Sequence, residues 1–217
     1  MSHKGLLFDL DGVIVDTAKY HYIAWKEIAE ELGINFTEED NERLKGVSRV
    51  RSFEIILEIG NCTMPEEEQE FYRTKKNEVY LSYILKMEED EILPGVRKFL
   101  IDVKKKGYRI ALGSASKNSR VILDRLHLTD LFDAIVDGTK VAKAKPDPEV
   151  FLRGAKELGL EAGECIVFED AFAGIEAAHA GNMKAVGIGS KELLPEADYH
   201  MPGFEGITIE EIEEKLK

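Results

Sequence analysis

The sequence has little cysteine and no long apolar run. Cys62 and Cys165 are the only cysteines in 217 residues, and they form neither a CxxC pair nor a disulfide framework. Residues 1–4 lead directly into a short apolar stretch, without the longer segment that a signal peptide or a membrane span requires. We therefore expect reduced thiols, a cytoplasmic location and no contact with a membrane.

Positive charge is also scarce. The chain has 29 Lys and Arg against 42 Asp and Glu, which gives a formal net charge of −13. Nucleic acids are held by clustered Lys and Arg, so we expect no nucleic-acid partner. A small anionic substrate stays compatible with this charge, because a metal ion and a few cations can reverse the field locally. We expect a globular monomer, since no obvious apolar interface segment is present.

An apolar run over residues 6–13 predicts a buried central strand near the N-terminus. Asp9 and Asp11 follow where this strand ends, and they point to the same side if the chain is still extended there. The Asp-Gly dipeptide that begins at Asp11 is also typical of a hairpin turn, which is an alternative interpretation. A calcium loop beginning at Asp9 is excluded, because its sixth and twelfth positions lack the required Gly and Glu.

Periodicity predicts helices first and then an alternation of strands and helices. The alternation favours an α/β fold with a parallel sheet and helices on both faces. Residues 16–87 read as all-helical, so we expect a helical segment inserted into an α/β core formed by residues 1–15 and 88–217. Predicted helices cover residues 17–33, 37–44, 50–59, 65–86, 96–106, 119–126, 149–158, 174–180 and 208–216, and predicted strands after the first cover residues 108–112, 134–136, 165–168 and 185–188.

Polar side chains recur where the predicted strands end, and in an open parallel sheet ligands bind at that edge. Each has an ordinary structural explanation alone, such as a helix N-cap, a surface lysine or acids at a helix N-terminus. Together, however, the acids would repel unless a cation lay between them, and oxygen ligands suit Mg²⁺. The sequence therefore predicts a Mg²⁺-assisted phosphoryl-transfer site. The residues concerned are Asp9, Asp11, Ser114, Lys145, Glu169 and Asp170.

These residues resemble the four motifs of the haloacid dehalogenase superfamily, in order and over nearly the whole chain. The motifs are Asp9-x-Asp11-Gly-Val, the hydroxyl of Ser114, Lys145-Pro and the acidic run over residues 169–175. The resemblance implies a Rossmann-like core with an α-helical cap inserted after the first strand. The chain departs from the pattern at Ala171, where the family commonly has Ser.

The resemblance also implies catalytic roles. Asp9 would be the nucleophile that forms an aspartyl phosphate, and Asp11 would be the general acid and base. Ser114 and the amide of Ala115 would hold the phosphoryl oxygens, while Lys145 would balance charge.

The same resemblance implies a metal site for Mg²⁺. Glu169 and Asp170 would hold the ion together with Asp9 and the carbonyl of Asp11.

The cap segment resembles that of superfamily members that isomerise sugar phosphates. Such an enzyme must bind two phosphates at once, and Arg49 offers a bidentate fork for the phosphate far from Asp9. Thr17 and His21 are expected to link cap closure to Asp11. The predicted substrate-binding residues are Trp25, Gly46, Val47, Ser48, Arg49, Ser52, Lys76, Ala115, Ser116, Lys117 and Asn118.

The implied reaction interconverts β-glucose 1-phosphate and glucose 6-phosphate through β-glucose 1,6-bisphosphate, with hexose phosphates as the partners and Mg²⁺ as the cofactor. A Mg²⁺-dependent sugar-phosphate phosphatase with the same fold is the alternative. A non-catalytic binding module is disfavoured, because every catalytic position carries a competent side chain.

Overall fold

A parallel sheet organises the molecule. The structure is a computed structural model and describes residues 3–44 and 47–217. Within them the sheet has six strands in the order β3-β2-β1-β4-β5-β6, and every pair is parallel. The strands are β1 Gly5–Phe8, β2 Arg109–Gly113, β3 Ala134–Val136, β4 Cys165–Glu169, β5 Lys184–Ile188 and β6 Tyr199–Met201.

Strand β1 lies in the middle of this sheet. Leu7 pairs with Ala111 of β2 on one side and with Val167 of β4 on the other. All of β1 is buried, which explains its continuous apolar sequence. The strand ends at Phe8, and both its neighbours are parallel, so the hairpin interpretation of the Asp-Gly dipeptide is wrong.

The helices fall close to their predicted ranges. Thr37 caps the second helix by accepting from the Asp40 amide, and the first helix is followed by Gly33 with φ +71°. The α-helices of the described residues are α1 Ala18–Glu31, α2 Glu38–Glu42, α3 Arg49–Ile59, α4 Glu66–Ile84, α5 Val96–Lys105, α6 Ser119–Arg125, α7 Glu149–Leu158, α8 Phe172–Ala180 and α9 Ile209–Lys215. The α/β class is confirmed.

Strand β6 was not predicted. It is short and includes the polar residue His200, so neither alternation nor an apolar run marks it in the sequence. It pairs with β5, and the chain after it returns to the edge of the sheet where β1 ends.

Apolar side chains form separate clusters on the sheet and among the first helices. The aromatic rings of Phe8 and Phe168 stack at 4.6 Å between centroids on one sheet face. A different cluster, which includes Trp25 and Phe53, packs α1 against α3. The division into a core and a cap at residues 16–87 stays a prediction.

A large cleft lies between the carboxyl edge of the sheet and the first helices. Its volume is about 1050 Å³, and residues of α1, α3 and α4 and of the loops after β1 and β2 line it. Among the helices of the described residues, none combines the length and the apolar character needed to cross a bilayer.

Candidate active site

A buried lysine lies between two acids behind the cleft wall. Lys145 Nζ donates to Asp9 Oδ1 at 2.6 Å and also to Glu169 Oε1. Burial alone would lower the pKa of Lys145, but the carboxylates of Asp9 and Glu169 outweigh it and raise the pKa above its ordinary value. The lysine therefore stays charged and fixes both acids.

Asp9, Glu169 and Asp170 form an acidic cluster. Each offers a carboxylate oxygen, and these atoms lie within 4.8 Å of one another. Oxygen donors at this spacing suit a hard divalent cation.

Two glycines leave room for these acids. A Cβ at Gly12, where φ is +74°, would lie 2.0 Å from Asp170 Oδ2, and one at Gly174 would lie 2.0 Å from the Glu169 carboxyl. Only glycine permits both the backbone conformation at residue 12 and the close approach of the acids. The glycines of the predicted motifs therefore serve the acidic cluster directly.

Asp11 is a carboxyl group with a raised pKa. Burial, and then the charge of Asp9, raises the pKa of Asp11 to about 8. The buried Thr17 hydroxyl forms a short hydrogen bond with Asp11 Oδ1, and the Asp11 amide donates to Asp9 Oδ2 at 3.1 Å. A carboxyl group that holds a proton near neutral pH is suited to general acid chemistry.

The loop after β2 is held by its own hydroxyls. Ser114 is buried, and its Oγ accepts from the Ser116 amide at 3.1 Å. Ser116 Oγ in turn accepts from the Asn118 amide at 3.2 Å. A Cβ at Gly138 would lie 2.2 Å from the Ala115 carbonyl oxygen, so the neighbouring loop also packs closely here. The loop therefore presents Ser114 and its following amides to the cleft in a fixed conformation.

Facing Asp11 across the cleft are a lysine and a histidine in contact. Lys76 Nζ lies 2.8 Å from His21 Nδ1, and also above the rings of Trp25 and Tyr80 at 4.9 and 4.6 Å. Burial, followed by the neighbouring cations, lowers the pKa of both Lys76 and His21 well below their ordinary values. The surroundings of the pair therefore disfavour a positive charge on either side chain.

Arg49 connects the first helices to the loop after β2. Arg49 Nη2 donates to Asn77 Oδ1 at 2.7 Å, and Asn118 Nδ2 donates to the same oxygen at 2.9 Å. Ser48 caps α3 by accepting from the Arg51 amide. Burial lowers the pKa of Arg49, so this guanidinium sits in a partly dehydrated position.

The structure brings the described candidate residues to one cleft. Thr17, Lys145 and Glu169 do not line it. Thr17 contacts Asp11 and Lys145 contacts Asp9, both of which do, and Glu169 contacts Lys145. Ser52 donates its hydroxyl to the Ser48 carbonyl. Gly46 lies outside the described residues. The predicted residues that line the cleft are Asp9, Asp11, His21, Trp25, Val47, Ser48, Arg49, Ser52, Lys76, Ser114, Ala115, Ser116, Lys117, Asn118 and Asp170. Their roles stay predictions.

Sequence reasoning missed other residues of the cleft. Glu70 and Arg73, which precede Asn77 on α4, line it, whereas Tyr80, one helical turn from Lys76, contacts that lysine without lining the cleft. Spacing by three and four residues on α4 is the signal that links them, but it does not reveal which face meets the cleft. Residues 202–205, after the unpredicted strand β6, also line it.

Comparisons with known proteins agree with this geometry. Residues 3–182 match the family described as haloacid dehalogenase-like hydrolase. The chain is 42% identical over 216 residues to a β-phosphoglucomutase of Bacillus subtilis, covering 98% of this chain and 95% of that protein. It is 32% identical to a fructose-1-phosphate phosphatase of Escherichia coli, covering 86% of this chain and 96% of that one.

A solved structure is also closely similar. The crystal structure of a β-phosphoglucomutase from Clostridium difficile superposes with a TM-score of 0.95 at 43% identity, covering 99% of this chain and 97% of that one. With the family match over most of the chain, this similarity confirms both the fold and the resemblance. The chain belongs to the haloacid dehalogenase-like hydrolase family.

Proposed function

We propose that the protein is a phosphoglucomutase that interconverts β-glucose 1-phosphate and glucose 6-phosphate through β-glucose 1,6-bisphosphate. The observation that supports this most directly is a single cleft with two differently built ends. The Asp9 carboxylate lies at one end and Arg49 lies at the other. Arg49 donates a hydrogen bond to Asn77 and, among the described residues, to no carboxylate. A bisphosphate needs a site for each phosphate, whereas hydrolysis of a monophosphate needs only the first.

In the proposed first step, an Asp9 oxygen attacks phosphorus as the bond from phosphorus to the sugar oxygen breaks. Asp11 gives its proton to that leaving oxygen, which is why its raised pKa matters. The donor in this step is β-glucose 1,6-bisphosphate, whose 1-phosphoryl group is transferred and which leaves as glucose 6-phosphate. In the second step the 6-hydroxyl of β-glucose 1-phosphate attacks the aspartyl phosphate, which re-forms the bisphosphate, and the hydroxyl returns a proton to Asp11. The proton and the phosphoryl group are thus both restored.

The fixed groups around Asp9 hold the phosphoryl oxygens. Ser114 and the Ala115 amide face the site from the loop after β2, and the Lys145 ammonium offsets the added negative charge. Preorganised donors of this kind need no rearrangement when charge develops. They are common to the mutase and to its alternative.

We propose that Mg²⁺ is the cofactor, held by Asp9, Glu169 and Asp170 with the carbonyl of Asp11. The clustered carboxylate oxygens and the glycines that make room for them fit a hard cation. When bound, the ion would neutralise charge on the transferring phosphoryl group.

Thr17 and His21 are proposed to link the helical segment to this chemistry. Thr17 contacts Asp11, and His21 contacts Lys76 on α4. If residues 16–87 move as a cap, these contacts form and break together with closure. Closure would also exclude water, which otherwise competes with the sugar hydroxyl for the aspartyl phosphate.

The proposal extends to hexose phosphates as partners, β-glucose 1,6-bisphosphate as activator, a monomeric state and a cytoplasmic location. The named relatives that act on sugar phosphates support the first of these. The acidic charge and the two unpaired cysteines support the last.

A sugar-phosphate phosphatase is the second candidate, favoured by the similarity to the fructose-1-phosphate phosphatase of E. coli. An assay on β-glucose 1-phosphate with Mg²⁺ and a trace of the 1,6-bisphosphate separates the two. We expect glucose 6-phosphate to form much faster than free phosphate. Release of phosphate equal to the loss of substrate would make the protein a phosphatase, and chelation of Mg²⁺ is expected to stop either reaction.

A further inference from the structure

Arg73 is a buried basic side chain to which the proposed mechanism gives no role. It lies on α4 one helical turn before Asn77, is 3% exposed and lines the cleft. Residues four apart share a helix face, so Arg73 lies on the side of α4 that carries Asn77. Asn77 is the residue that accepts from both Arg49 and Asn118. Arg73 therefore borders the end of the cleft that is remote from Asp9.

One donor group of this guanidinium is unused. Arg73 Nε and Nη2 donate to Glu70 Oε2 at 3.0 and 2.8 Å, and Nη2 donates to Glu66 Oε1 at 2.5 Å. Nη1 is buried and has no hydrogen-bond partner among the described residues. Buried donors in folded proteins are nearly always satisfied, and an unpaired one costs free energy. The unpaired donor therefore indicates a ligand that the protein does not itself supply.

The acids that anchor Arg73 lie on its solvent side. The side chains of Glu66 and Glu70 are 76% and 67% exposed, whereas that of Arg73 is 4% exposed. Ion pairs with such exposed carboxylates are weak, because water screens them. They hold the guanidinium in place and leave much of its charge available to an anion in the cleft.

Several cations converge on the same carboxylate. The hydrogen bond from Arg73 lowers the pKa of Glu70, and the charges of Arg49 and Lys117 add to this effect. These three basic residues come from α4, α3 and the loop after β2, yet they act on one acid. This end of the cleft is therefore a cationic site in which Glu70 is the nearby anion.

We propose that Arg73 is a further phosphate-binding residue, which donates from Nη1 to the phosphate remote from Asp9, beside Arg49. Glu70 competes with that phosphate for the same cations. The inference rests on the proposed function for the identity of the ligand, a sugar bisphosphate. The presence of an anion site at Arg73 does not depend on the proposed function.

The test compares two phosphoryl donors with the full-length protein and Mg²⁺. β-Glucose 1,6-bisphosphate carries a second phosphate, whereas acetyl phosphate has none and reports on the Asp9 end alone. We expect Arg73→Gln to raise the KM for the bisphosphate roughly tenfold or more. Turnover of acetyl phosphate should stay within about twofold of wild type. Arg73→Lys should recover only part of the loss, because it restores the charge without the fork.

Glu70→Gln should change the KM for the bisphosphate in the opposite direction. Because it removes the competing anion, we expect a KM for the bisphosphate about two- to fivefold lower than wild type. Glu70 is exposed, so this variant reports even where Arg73→Gln does not fold. Arg51→Gln, an exposed arginine on α3 that is paired with Glu54 and Glu58, is the matched control and should behave as wild type.

A purely structural role for the pair predicts a different pattern. Arg73→Gln and Glu70→Gln would then change the KM in the same direction, or change both donors equally, and either result would overturn the proposal. Failure of the proposed function is separately visible. In that case wild type forms no glucose 6-phosphate from β-glucose 1-phosphate, while the selective loss in Arg73→Gln persists.

Discussion

The two ends of the cleft handle charge in opposite ways. At the sheet end, Lys145 lies between Asp9 and Glu169, and all three are buried and mutually paired. At the helix end, Arg49 donates to the neutral Asn77, and Lys76 contacts His21. The sheet end is rich in acids and suits an added cation, whereas the helix end suits an added anion.

This difference explains how one family can share its chemistry and vary its substrates. The paired acids and lysine belong to strand ends and the adjacent loops, whose positions are fixed by the sheet. The cations belong to helices, where a substitution changes recognition without touching the nucleophile. The similarity to both a mutase and a phosphatase fits this division.

The largest effect is expected from the sheet end. Asp9→Asn should reduce turnover of every phosphoryl donor by about 10⁴-fold or more, because the variant loses the carboxylate oxygen that attacks phosphorus. Steady-state assays on two donors measure this. Asp102→Asn, an exposed residue of α5, is the control and should keep activity. Comparable activity in Asp9→Asn would remove Asp9 as the nucleophile.

Removing the lysine should reveal how far the paired acids depend on it. Lys145→Met leaves Asp9 and Glu169 buried without their counterion, and we expect about 3–5 kcal/mol less stability at neutral pH. Urea unfolding measures the change. The control is Lys98→Met, at an exposed position of α5, which should cost less than about 0.5 kcal/mol. Equal losses in the two variants would show that the buried pairing is not what stabilises this end.

Asp11 should make the protein less stable as the pH rises. Its pKa in the folded protein is about 8, above the ordinary 3.8, so the folded state holds a proton that the unfolded state releases. Stability attributable to this group therefore falls between about pH 4 and pH 8. Asp11→Asn should remove that dependence. Between pH 4 and pH 8 the variant should gain stability relative to wild type, by about 1.4 kcal/mol for each unit by which the pKa of Asp11 is raised, in urea titrations at both values. A parallel pH profile in the two proteins would contradict the raised pKa.

The smallest effect is expected from Thr17. Thr17→Val removes its hydroxyl contact with Asp11, and a lost hydrogen bond of about 1 kcal/mol corresponds to a roughly fivefold fall in kcat with a displaced pH profile. Thr129→Val, which breaks a similar contact with Asp124 on the surface, is the matched control. A fall in kcat with an unmoved pH profile would mean that Thr17 does not act through Asp11.

The sheet end was predictable from the sequence and the helix end only in part. Asp9 and Ser114 follow β1 and β2, Glu169 is the last residue of β4, and parallel strands bring their carboxyl ends to one edge. Arg73 was not predicted, since its place depends on how α4 rotates against the rest of the fold. A spacing of four residues from Asn77 says that the two share a face and not what that face meets.

The same limit applies to the chain after β6. Residues 202–205 reach the cleft because β6 pairs with β5 at the edge of the sheet. No local sequence pattern predicts this pairing. Tyr80 likewise reads as an ordinary core residue, although its ring lies against Lys76. Local patterns predicted the elements, while long-range packing decided which side chains meet the substrate.

We assign phosphoryl transfer to the Asp9 end of the cleft and recognition of a second phosphate to the Arg49 end. Arg49→Ala, assayed with two phosphoryl donors, tests this assignment most directly. We predict that kcat/KM for β-glucose 1,6-bisphosphate falls by about 10- to 100-fold, because a charge-assisted, bidentate contact is lost. For acetyl phosphate, which has no second phosphate, it should stay within about twofold. An equal fall for both donors would contradict the account, since Arg49 would then serve the chemistry at Asp9 and not the recognition of a second phosphate.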